Sequence, residues 1–157
     1  MKSITYLFFA LAVVCSSASA WAQDNHLELA AEVVAEIGGA DAVMTQIEAS
    51  SPMIIEAFRA NIPDLTDAEG QQIVEFFLDE MRALMPRFAD DYAAMIAQHL
   101  TTSELREMLD NPQTTLDGRL DEVSPLINRD ANALGEAYGA EAMNNALPRI
   151  QEMLANR

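Results

Sequence analysis

Thr66-Asp67-Ala68-Glu69-Gly70-Gln71-Gln72-Ile73-Val74-Glu75-Phe76-Phe77-Leu78-Asp79-Glu80-Met81 is the stretch that decides the fold class. Its first four residues are a capping box. The Thr66 hydroxyl can accept from the amide three residues on, while Glu69 reaches back to the cap amide. Behind the box, Ile73, Phe77, Met81, Leu84 and Phe88 fall on one helical face. The phase runs on past Pro86 to Tyr92, Met95 and His99. It predicts one long kinked helix, or two helices meeting at Pro86.

The neighbouring segments carry the same period. Upstream, Leu29, Val33 and Ile37 recur every four residues and predict a helix over 25–37. Gly38-Gly39 supplies left-handed positions that stop it. A second helix is expected from about Asp41, with Met44, Ile47, Ser51, Ile54 and Phe58 as its stripe. That stripe keeps phase across Pro52, so one kinked helix is expected, with a break at Ser51-Pro52 as the alternative. Asn61-Ile62-Pro63 ends it.

Downstream, Thr101-Thr102-Ser103-Glu104 is a second capping box, opening a short helix with Leu105, Met108 and Leu109. Asn111-Pro112 stops it. The last segment restarts near Thr114, with Leu120, Val123, Ile127, Leu134 and Tyr138 as a stripe extended by Met143, Leu147, Ile150 and Leu154. Pro125 and Pro148 should kink or split it. Strand-like alternation is scarce, and no repeat has a fixed period. The expected fold is all-α: a compact or partly open bundle of five to seven helices, several kinked at proline.

The N-terminal residues speak to compartment. Lys2 gives a basic start, Ile4–Val14 is apolar, and Ala20-Trp21-Ala22 offers small residues where a signal peptidase reads. The expectation is a Sec-type signal peptide over 1–22, cut before Gln23, or before Trp21 as the alternative. A single helical domain over 23–157 would remain, periplasmic or secreted. The apolar run is shorter than the roughly 20 residues a membrane span needs, so no stable membrane insertion is expected after cleavage. Cys15 is the only cysteine and lies in that segment, so the mature chain would have no disulfide or thiolate chemistry. It would hold eight arginines and no lysine against 25 carboxylates, a formal charge of −17. Such a surface repels nucleic acid and anionic lipid, and favours solubility, cations or a basic partner.

His99-Leu100-Thr101-Thr102-Ser103-Glu104-Leu105 resembles the His-Phe-Thr-x-x-Glu-Leu core of the secreted bacterial domain-of-unknown-function family 2059. His99, Thr101, Glu104 and Leu105 match, and Pro125 falls where that family has a later proline. The resemblance covers about residues 96–127 and is that of a divergent member. Leu100 replaces the Phe, Asn111-Pro112 a Phe-Tyr pair, and Thr114-Thr115 a Ser-Pro; Asp117-Gly118-Arg119 stands for Gly-Lys-Lys, so only Arg119 keeps the basic charge. The resemblance implies an exported all-helical domain with no established activity. Its hallmark residues have a structural reading: Thr101 and Glu104 cap one helix, and Thr114 can cap the next.

Candidates for chemistry are few. His26 is expected in solvent near the mature terminus. His99 is expected half-buried near a helix end, bonded to a carbonyl or carboxylate. Asp64–Gly70 resembles a calcium loop only faintly, because Leu65 and Phe76 would stand where acidic ligands are needed. Met81 and Met85 share a face, with Met95 near, and are expected as core filler rather than a Cu(I) site. No catalytic, cofactor or metal residue is assigned. No nucleophile motif or glycine-rich phosphate loop is present. The expected function is a non-enzymatic exported interaction module, binding through an apolar groove or its acidic face, or self-associating on an apolar seam. A carrier or sensor of a small apolar or cationic ligand is the alternative. An acidic hydrolase, which needs two converging carboxylates, ranks third.

Overall fold

The structure, a computed structural model, describes residues 25–156. The signal-peptide reading therefore lies outside the described residues. Among those residues the protein forms six α-helices, one 3-10 turn and no strand. Helix α1 covers 25–36, α2 Gly39–Ala49, α3 Ser51–Arg59, α4 Asp67–His99, α5 Thr102–Asp110 and α6 Arg119–Ala155. The 3-10 turn Leu116–Gly118 precedes α6.

Two long helices make the frame. The 33 residues of α4 and 37 of α6 correspond to lengths of roughly 50 and 55 Å at 1.5 Å per residue. They run antiparallel, because Phe76 meets Arg149, Arg87 meets Tyr138, and His99 meets Asp130. Helices α2 and α3 lie on another side of α4 and run opposite to it: Gly39 adjoins Tyr92, Glu48 pairs with Arg82, and Ile55 touches Gly70. The core follows α4 in three parts. Ala30, Val33 and Val34 of α1 join Ile96, Leu105 and Val123 at one end. Phe77, Met81, Met85 and Phe88 meet Tyr138 and Ala142 in the middle. Ile73 meets Leu65, Ala146 and Ile150 at the other end.

The prolines resolve differently for local reasons. Pro86 lies inside a continuous α4, and Pro125 and Pro148 lie inside a continuous α6, so neither helix is split. Pro52 stands in the first turn of α3, behind a break at Ser50, where its missing N–H costs nothing. The expected single kinked helix is therefore two. Gly38 adopts φ 64, the left-handed turn that ends α1 and lets α2 begin one residue later. Gly70 admits α3, since a Cβ there would stand 2.8 Å from Ile55 Cγ2.

The start of α6 corrects two readings. Thr114 does not cap it. The N-cap is Gly118, without a side-chain cap bond, and Thr114 Oγ1 instead accepts from the Leu116 amide at 3.0 Å. The helix also starts at Arg119 rather than near Thr114, because Leu116, Asp117 and Gly118 have φ 50, 52 and 86, three successive left-handed residues. Leu116 is held in that conformation by burial. The stripes also shift slightly. Ile37 is 53 % exposed, and Ala30 and Val34 take its place in the core. Leu147 is exposed while Ala142 and Ala146 are fully buried.

Candidate functional site

The residues of the 96–127 motif converge, but on a structural knot around α5. Thr101 accepts from the Glu104 amide, and Glu104 Oε2 accepts from the Thr101 amide at 2.6 Å and its hydroxyl at 2.7 Å. Arg119 approaches the same carboxylate at 3.5 Å and pairs with Glu122 at 2.9 Å. Two hydrogen bonds from Thr101, then the arginine, hold the Glu104 carboxyl below its ordinary range. Thr114 donates to Glu107 at 2.5 Å, and Leu105 is fully buried beneath. Pro125 stands apart, exposed on α6. The polar groups of the knot cap α5 and tie it, through Glu104–Arg119 and Glu107–Thr114, to the start of α6 and the loop before it.

Both histidines act at the C-terminal end of α4. His99 Nε2 lies 2.9 Å from Asp130 Oδ2 of α6, so of the two partners expected, carbonyl or carboxylate, it takes the carboxylate. Arg129 first, then His99, hold the Asp130 carboxyl below its ordinary range. His26 is not simply solvated. Its Nε2 faces the Ala97 carbonyl at 2.9 Å and so must donate, leaving Nδ1 to accept from Thr102 Oγ1 at 3.0 Å in the neutral ring. The imidazole thus ties α1 to α4 and α5 together. Met81 and Met85 belong to the middle core, whereas Met95 belongs to the α1 end. No cluster of three or more metal-ligating His, Cys, Asp or Glu occurs among the described residues.

A polar cluster that the periodicity alone could not show fastens the middle of the frame. Tyr138 packs edge-on to Phe88 at 5.3 Å, and its hydroxyl donates to Asp91 at 2.6 Å while accepting from Arg87 Nε at 2.9 Å. Arg87 also pairs with Glu141 and lies 4.9 Å over the Tyr138 ring. Burial, aided by Asp91, pushes the Tyr138 phenol up. The phenol thereby stays a neutral donor, which suits a staple rather than a nucleophile.

The feature best placed to bind something is a groove between α2 and α6. Val43 and Ile47 form one wall, and Ala131, Asn132 and Gly135 form the other. Met81, Phe88 and Tyr92 of α4 form the floor, with Phe88 and Tyr92 stacked at 5.7 Å. The groove has a volume of about 400 Å³. It exists because the backbones of α2 and α3 approach α4 and stay away from α6: none of their Cα atoms comes within 8 Å of one in α6. Neither helix contains a fully buried residue. The α6 wall is low at Gly135, which has no side chain and where an added Cβ would meet nothing within 4 Å. A glycine inside a helical run was the sequence signal for this, since it costs about 1 kcal/mol against alanine.

A shallower cleft of about 280 Å³ lies at the α1–α2 corner, bordered by Asp41 and Asp90. Both carboxylates are exposed, and a carboxyl used as a general acid is ordinarily buried. Elsewhere six arginines are matched, since Arg59, Arg82, Arg87, Arg119, Arg129 and Arg149 each pair with a carboxylate, while Arg106 donates to Asn25 Oδ1. With 25 acidic residues against nine Lys and Arg, the excess charge is acidic. Among the described residues no helix is long and apolar enough to cross a membrane. Comparison with known proteins returned no matching family model, no matching curated protein and no matching solved structure.

Proposed function

We propose that this protein is an exported, non-enzymatic interaction module whose α2–α6 groove receives an amphipathic helical segment with basic flanks from a partner protein. The open apolar groove carries this reading. It is a trough between two helices rather than a closed chamber, which suits a length of chain better than a small molecule. Charge selects the flanks. The chain has a formal charge of −16, the six arginines paired above are spent on internal contacts, and exposed Glu136 follows Gly135 on α6. A basic segment gains from that field, whereas a second copy of this chain would be repelled by it. The export part of the reading rests on the N-terminal sequence pattern. The resemblance around residues 96–127 points to the same secreted class and adds no activity.

The test uses a synthetic peptide with leucine at i, i+3, i+4 and i+7 and arginine elsewhere, followed by fluorescence anisotropy. A peptide of the same composition with the leucines scattered carries the same charge and no apolar face. The striped peptide should bind saturably and the scattered one weakly. Gly135→Leu, which fills the groove without changing charge, should abolish the difference. Asn132→Arg, on the exposed rim, should weaken binding by repulsion if the leucine variant folds poorly. Equal binding of the two peptides, or no effect of either substitution, would sink the proposal.

A further inference from the structure

We propose that the niche between the C-terminal ends of α1 and α5 is a binding site for a small organic ammonium ion with a compact apolar body, of the arylalkylamine class. The site is separate from the α2–α6 groove and does not depend on it. Val33 and Ile37, Met108 and Leu109, and Pro112 and Leu120 wall a pocket of about 270 Å³. That is just under the roughly 300 Å³ at which ordinary ligand pockets begin, so the body it fits is one ring or a short chain. Ile37 stands at this pocket 53 % exposed. An apolar body would cover an aliphatic side chain that the fold otherwise leaves in water.

Electrostatics set the sign of the ligand. Helices α1 and α5 both end here, and the last carbonyls of each carry a partial negative charge. Helices commonly offset this with Lys, Arg or His in the last turn. The last turn of α5 has no basic residue and closes on Asp110. The last turn of α1 is Val33-Val34-Ala35-Glu36, again without a base and closing on an acid. Glu36 lines the niche and makes no ion pair or hydrogen bond among the described residues. The other polar side chain of the lining, Thr114, is already occupied: it donates to Glu107 and accepts from the Leu116 amide. The lining side chains thus offer a ligand no free donor. What they ask of it is a positive charge beside Glu36 and apolar surface against the rest.

The walls are built before any ligand arrives. The Thr101–Glu104 box and Arg119 fix α5 to the start of α6, and buried Leu116 anchors the loop between them. Preorganisation of this kind lowers the ordering cost of binding.

The experiment titrates the purified protein with 2-phenylethylamine and, separately, with 2-phenylethanol, which has the same body and no charge. The methionine methyl resonances are followed by NMR. The amine should shift Met108 saturably while Met53, exposed on α3, stays in place. The alcohol should bind about tenfold more weakly, the size expected for loss of one charge-assisted contact. Glu36→Gln should weaken the amine by a similar factor and leave the alcohol unchanged. Glu28→Gln, two turns back on exposed α1 surface, removes the same net charge and should leave the amine unchanged. No saturable Met108 shift, equal affinity for amine and alcohol, or equal effects of Glu36→Gln and Glu28→Gln would each overturn the site. The last result would reduce it to diffuse attraction by the acidic surface.

Discussion

Thr101 shows how much one side chain can carry. Its hydroxyl satisfies an amide at the start of α5, and its backbone and hydroxyl together bind the Glu104 carboxylate. Thr101→Ala should destabilise the protein by about 1 kcal/mol at neutral pH. The pH dependence follows from the lowered Glu104 pKa. A carboxyl depressed on folding contributes fully above its ordinary value of 4.5, and the contribution is lost as pH falls through the depressed value. The gap between parent and Thr101→Ala should therefore narrow on acidification past that range. Urea midpoints measured across pH would show it; a constant gap would remove the carboxylate from the account.

At the scale of the element, α4 and α6 are helices whose period is strong enough to override three internal prolines. Burial of one face along α4 against both α2–α3 and α6 supplies what the lost hydrogen bonds forgo. The two walls of α4 and α6 nevertheless treat glycine oppositely. A methyl at Gly70 would stand 2.8 Å from Ile55, whereas one at Gly135 would meet nothing within 4 Å. Gly135→Ala should raise stability by about 1 kcal/mol through helix propensity alone. Gly70→Ala gains the same propensity but overpacks the α3 contact, by about 1–3 kcal/mol, and should come out neutral to destabilising. Melting midpoints of the two variants should move apart; a shared upward shift would mean that α3 yields easily to the intruding methyl.

The whole molecule is a long two-helix frame with α2 and α3 along α4 and α1 and α5 packed at one end, and its charge is strongly acidic. At −16 the chain repels itself when folded. Added salt should raise its melting temperature between about 10 and 150 mM, as the screening length falls from about 30 to 8 Å. A flat or falling response would show that the arginine pairs, which salt weakens, outweigh the unpaired carboxylates. The same excess of acid underlies both ligand proposals, one at the α2–α6 groove and one at the α1–α5 niche. They remain separable, because each has its own substitution, Gly135→Leu and Glu36→Gln.

Local interactions were legible in the amino-acid order. The helical class, both capping boxes and the stop at Gly38 follow from residues within a few positions of one another, where spacing and side-chain chemistry suffice; the half-buried setting of His99 was legible too, but its partner Asp130 on α6 was not. Whether Pro52 broke a helix and Pro86 did not depended on neighbours elsewhere in the chain, because a proline is tolerated only where packing compensates for it. The partner of Tyr138, the embedding of His26 and the left-handed run at Leu116 likewise depend on contacts between distant segments. The groove and the niche belong wholly to the tertiary structure. The groove is a space left between helices that pack on a third, the niche a space left where two helices end side by side, and a sequence records side chains, not the gaps between them.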